Sequence, residues 1–127
     1  MPGGVQDFSD LDVYWEARAL ARRVFELTER FPGTERPGLV DQFRRAARAI
    51  GAQIAEAWAK RRYPRHFASK LSDADAEQLE TRHWIRVALD CGYLELREGR
   101  ELLEQLDTIG RMLNVMMQKA EQFQTRI

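Results

Sequence analysis

The chain has 127 residues, 44% hydrophobic and 31% charged, and its 20 Lys and Arg balance 20 Asp and Glu. That length suits one domain with a real core, and a formal charge of zero excludes a global field drawing the protein to nucleic acid or a membrane surface. The single cysteine, Cys91, excludes an intrachain disulfide, and no run approaches the roughly 20 apolar residues that a membrane span needs.

A cytoplasmic protein is expected, because the opening Met1-Pro2-Gly3-Gly4 also lacks the charged-then-apolar layout of a signal peptide. Residues 1–9 read as a leader to a four-helix bundle over residues 10–125. Helix one is expected over 10–31. Val13, Ala17, Leu20, Val24, Leu27 and Phe31 recur at alternating steps of four and three, the spacing of a helix packed in a bundle. Tyr14, Ala21, Phe25 and Thr28 form a second stripe beside it. Ser9 or Asp10 suits the N-cap, and Phe31-Pro32-Gly33 suits the stop, because proline cannot continue a helix.

Helix two is expected over 37–62, opening on Pro37 and carrying Leu39, Phe43, Ala46 or Ala47, Ile50, Ile54 and Ala57 inward. Its many small residues let helix axes approach closely. Gly51 costs about 1 kcal/mol relative to alanine in a helix interior, which close packing or a local bend would offset. Helix three, 64–91, carries Phe67, Leu71, Ala74, Gln78, Thr81, Ile85 and Ala88. The polar middle of that stripe leaves two arrangements open. Either Gln78 and Thr81 find partners inside, or the helix turns to bury Leu79 and Trp84. Helix four, 99–125, has the cleanest pattern: Leu102, Leu106, Ile109, Leu113, Met116, Ala120 and Phe123. Short connections favour an antiparallel up-down-up-down order.

Several segments together resemble a known family. They are Phe8-Ser9-Asp10-Leu11 with Trp15, Ala17 and Leu20; Thr28-x-x-Phe31-Pro32-x-x-Glu35; and Gly38-Leu39-x-x-Gln42-Phe43-Arg44-Arg45-Ala46-Ala47. Further along stand Ile50-x-x-Gln53-Ile54-Ala55-Glu56, Glu77-x-Leu79-Glu80-Thr81, Gly92-Tyr93-Leu94 and Met112-Leu113. In order and spacing these resemble the four-helix-bundle family encoded by intervening sequences in bacterial 23S rRNA genes. The resemblance implies a bundle whose members often assemble as homopentamers. It also implies kinship with the accessory variability proteins of diversity-generating retroelements, which bind nucleic acid and a reverse transcriptase. The family-motif positions are Gln42, Arg44, Arg45, Gln53 and Glu56. Where the family has proline, asparagine and, after the glutamate, glycine, this chain has Gly51, Gln53 and Ala57, so a role tied to that asparagine is not implied here.

The sharpest functional feature is a basic cluster: Arg44, Arg45, Arg48, Lys60, Arg61, Arg62 and Arg65, offset between 37 and 66 only by Asp41 and Glu56. Two readings stand. Charge at a helix C-terminus and surface salt bridges explain the cluster without a ligand. Alternatively the residues contact an RNA or DNA backbone, and cyclic assembly would repeat the patch around a ring. Nearby Tyr63, His66 and Trp58 suit base stacking, or equally a core or interface. Glu56 is expected to pair with Arg44, Arg45 or an arginine of a neighbouring subunit. The acidic run Asp73, Asp75, Glu77 and Glu80 reads as a solvated face, or as the complement of helix two in the next subunit.

Glu80-x-x-His83 is half of a carboxylate-bridged di-metal motif, but a second Glu-x-x-His is missing and the only other histidine, His66, follows Tyr63 by three residues. No metal or other cofactor is expected. Cys91 reads as a helix-end packing residue, and no phosphate-cradling loop or nucleophile motif is present. Met112, Met116 and Met117 read as adaptable filler, and of Trp15, Trp58 and Trp84 at least one is expected at a subunit contact. The expected function is a non-enzymatic, self-assembling bundle, homopentameric, with sequence-independent nucleic-acid binding through the helix-two basic residues. The alternative is a protein–protein adaptor or purely structural oligomer.

Overall fold

A computed structural model describes residues 4–124. Four helices, α1 (Asp12–Thr28), α2 (Asp41–Ala59), α3 (Pro64–Asp90) and α4 (Leu96–Gln118), form an all-α up-down bundle in which consecutive helices pack together. Of the four helix pairs that adjoin around the bundle, α2–α3 packs most extensively and α1–α4 least. The expected inward stripes of all four helices are buried. Burying them removes on the order of 2,000 Å² of apolar surface from water, the main force holding the bundle together. No described helix is long and apolar enough to cross a membrane.

The helix ends depart from the expectations, each for a local reason. The described part of the leader is folded. Asp7 and Asp10 form a capping box around a 3-10 turn at Phe8–Asp10, and Phe8 packs edge-on against Tyr14 at 5.0 Å. Neither Ser9 nor Asp10 caps α1; its N-cap is Leu11, without a side-chain bond. Helix α1 stops at Thr28, three residues early. The Thr28 hydroxyl donates to the Val24 carbonyl at 2.7 Å, and tight turns then swing Phe31 into the core beside Phe43 and Tyr93.

A single π-turn, Arg36–Val40, with Pro37 in its first residues, leads into α2. Helix α2 ends at Ala59, so Arg61 and Arg62 lie in the turn beyond it. Helix α3 closes through Gly92, whose φ of 75° allows Tyr93 N–H to reach the Ala88 carbonyl at 2.9 Å. Helix α4 starts at Leu96, not 99, because Glu95 and Glu98 cap it reciprocally. It ends at Gln118, and a 3-10 turn, Ala120–Phe123, carries the last buried apolar residues. Residues 1–3 of the expected leader and Thr125 of the expected fourth helix lie outside the described residues.

Of the two arrangements open for α3, the first holds. Gln78 donates to Asp75 at 3.1 Å and accepts from Arg82 at 2.8 Å, and Thr81 donates to the Glu77 carbonyl at 2.8 Å. Gly110 leaves room for that amide, since a Cβ there would sit 3.3 Å from Gln78 Nε2. Leu79 stays exposed. Gly51 is buried, yet an added Cβ would meet only Tyr14 at 3.8 Å and Ala17 at 4.0 Å, ordinary contact distances. Packing within one chain therefore does not require glycine there.

Candidate nucleic-acid interface

The basic cluster divides into two groups with different surroundings. Arg44 is largely buried by its contacts with the end of α1. Its Nε donates to the Thr28 hydroxyl at 2.8 Å and its Nη2 to Glu29 at 2.9 Å, while the guanidinium lies 4.5 Å from the Phe25 ring. Arg45 bridges to α3, pairing with Glu80 and, at 3.4 Å, with Glu77; Gln42 accepts from its Nε at 3.4 Å. Glu80 also accepts from the Trp84 indole at 3.0 Å, and these two donors hold its carboxyl below the ordinary value. The partners of Glu80 are therefore Trp84 and Arg45, not His83, whose ring packs on Trp84. Among the described residues no group of three or more His, Cys, Asp or Glu is placed to hold a metal ion.

Two pairings differ from expectation. Glu56 meets Lys70 of α3 at 2.8 Å rather than an arginine, and that bond raises the affinity of Lys70 for its proton. The charge complementarity between α2 and α3, read as a contact with the next subunit, operates inside one chain. The cause is register: antiparallel packing sets Arg45 against Glu77 and Glu80, and Glu56 against Lys70. At the remaining family-motif position, Gln53, the side-chain oxygen is buried with no hydrogen-bond partner among the described residues.

The second group stands at the α2–α3 turn. Lys60, Arg62 and Arg65 are exposed and have no acidic partner within 4.0 Å among the described residues. Arg61 folds back over Trp58, its guanidinium 4.2 Å from the ring centroid and donating to the Trp58 carbonyl at 2.8 Å. Trp58 is thus a core aromatic, not a stacking surface. Tyr63 projects 55% exposed, flanked by the His66 ring at 5.5 Å and the Arg62 guanidinium at 5.7 Å. The backbone beneath is fixed: Tyr63 N–H donates to the Lys60 carbonyl, the Tyr63 carbonyl accepts from Phe67, and Gln124 donates to the Arg62 carbonyl. A rigid turn therefore presents three cations and one aromatic ring.

Arg48 belongs to neither group. It is exposed, 5.8 Å from the Phe25 ring, beside a groove of about 310 Å³ between α1 and α2. Ala17, Ala21, Gly51, Ala52 and Ala55 floor that groove. On its α1 side Trp15 is 51% exposed, donates to the Ser9 carbonyl at 2.7 Å, and carries Arg18 at 4.8 Å over its ring.

At the opposite end of the bundle lies a cluster that the sequence patterns do not reveal. Glu98, 5% exposed, accepts two hydrogen bonds from Arg30 and one from the Glu95 N–H. These donors, Arg30 foremost, push its carboxyl down to about 2. Tyr93 donates to Glu35 at 2.9 Å, which raises the phenol above its ordinary value. The available signal was Glu95-x-x-Glu98, a capping pair hidden by the rarity of glutamate at an N-cap.

No curated protein matches the chain. The family model for the 23S rRNA-intervening sequence protein matches residues 9–115, a stretch that takes in α1, α2, α3 and most of α4. The motif residues at the α1–α2 and α2–α3 seams fall within it, and the chain belongs to the 23S rRNA-intervening sequence protein family.

Proposed function

We propose that this protein is a non-catalytic helical bundle that assembles as a homopentamer and binds RNA or DNA through backbone contacts. One observation carries the nucleic-acid reading: Lys60, Arg62 and Arg65 share a rigid turn with no acid partner among the described residues. Cations so placed attract phosphates through local potential, which a net charge of zero does not cancel at short range. The site differs from the one expected from sequence, because Arg44 and Arg45 are engaged within the chain. Cyclic assembly would repeat the turn several times around one particle and strengthen binding by multivalency.

Support for assembly comes from α1. Trp15 and Phe25 lie exposed on one helix, beside a groove whose alanines and glycine permit close approach of another helix. The same surface supports a second reading, a protein–protein adaptor or purely structural oligomer with no nucleic-acid role.

Light scattering tests assembly: a particle of five chains is expected, and a lone monomer at high concentration removes the proposal. Mobility-shift titration of the assembled protein at several salt concentrations tests binding. Affinity is expected to fall steeply with salt, and alanine at Lys60, Arg62 and Arg65 to flatten that dependence. Intact assembly without salt-dependent binding would leave the adaptor reading.

A further inference from the structure

We infer that the α2–α3 turn takes single-stranded RNA or DNA, with an unpaired base stacked on Tyr63. The inference rests on the nucleic-acid reading above and names its substrate class. Among the described residues Tyr63 is the only large hydrophobic side chain exposed within a turn of Lys60, Arg62 and Arg65, and the exposed His66 lies beside it. Burying it in the bundle would have contributed apolar area; here most of the ring faces solvent instead. Its position is nonetheless set. Pro64 restricts the Tyr63 backbone, which is extended at φ −117° and ψ 101°, and both backbone hydrogen-bonding groups are engaged.

His66 and Arg62 flank the ring, and an exposed guanidinium 5.7 Å from the centroid is free to move onto a phosphate as a base arrives. A ring held among cations is the combination that binds single strands: the charges track the backbone while every base offers a face to stack. In a duplex those faces are already covered by neighbouring bases, and exposing one costs a few kcal/mol. The three cations gather around one corner, with only Arg65 inside a helix, so they do not line up along an element that would enter a groove.

The test is fluorescence anisotropy with a labelled oligothymidine and a duplex of equal length, using the full chain. The single strand is expected to bind at least tenfold more tightly. Tyr63→Ala and Tyr63→Leu should weaken single-strand binding by about five- to a hundredfold, while Tyr63→Phe retains it. All three should leave the salt slope unchanged, whereas Lys60→Ala, Arg62→Ala and Arg65→Ala combined should reduce it by about 2. Circular-dichroism melting checks that each variant folds. Equal binding of duplex and single strand, or Tyr63→Leu binding as tightly as the parent, overturns the stacking inference while backbone binding stands. Absence of salt-dependent binding to either probe overturns both.

Discussion

Where α1 stops and α4 starts, Arg30, Glu98, Tyr93 and Glu35 satisfy one another at the surface of the core; at the other end of the bundle Lys60, Arg62 and Arg65 project without an acidic partner among the described residues. Both ends set arginine beside a tyrosine. What differs is whether helix register brings a carboxylate within reach. Where it does, arginine closes the end of the bundle and is spent on stability. Where it does not, the charge remains available to an outside partner, and the chain's zero net charge conceals the difference.

The comparison is sharpest if the two ends respond oppositely to truncation. Glu98→Ala should destabilise the protein by about 2–3 kcal/mol, read as a lower urea midpoint, because it strands Arg30 and uncaps α4. A loss below about 0.5 kcal/mol would mean that the closed end contributes no more than a surface pair. Acid offers a second route. The Glu98 carboxyl titrates at about 2 in the fold against 4.5 when free, so its contribution is fully present above pH 4.5 and is lost as pH falls from 4.5 towards 2. That contribution is about 2 kcal/mol once the half-exposed state of Arg30 is allowed for, and Glu98→Gln should remove this part of the acid sensitivity.

Between the ends, Gly51→Ala should raise stability by up to about 1 kcal/mol, since helix propensity improves and the added methyl meets no close neighbour within the chain. If the same variant weakens assembly, the α1–α2 groove is where copies meet. The smallest effect belongs to the open end. Alanine at Lys60, Arg62 and Arg65 together should shift unfolding by no more than about 0.5 kcal/mol. A larger loss would mean that these cations, too, serve the fold.

The helices were legible because their apolar stripes are long and regular. From Leu102 to Phe123, across α4 and the 3-10 turn that follows it, every position expected inside is inside. Even the polar step at Gln78 and Thr81 kept its place, since the period outweighed two hydrogen-bonding side chains that found partners. Helix ends were less legible, because they depend on local turns and single side chains: i−3 bonds to the Leu27 and Thr28 carbonyls close α1 ahead of Pro32, and Glu95 with Glu98 lengthens α4. The candidate site was half legible. Composition located the cations, but whether an arginine is engaged depends on which carboxylate packing sets opposite it. Neither Arg45 against Glu80 nor Glu56 against Lys70 has a signature in spacing along the chain.

Cys91 is exposed and is the sole thiol of the chain, and it follows directly on the last residue of α3, whose first turn adjoins Tyr63. With 27 residues at 1.5 Å each, that helix sets the two about 40 Å apart. A maleimide dye on Cys91 would therefore mark every copy once, far from the basic turn. Counting bleaching steps in single particles would then give the number of subunits, with and without bound oligonucleotide.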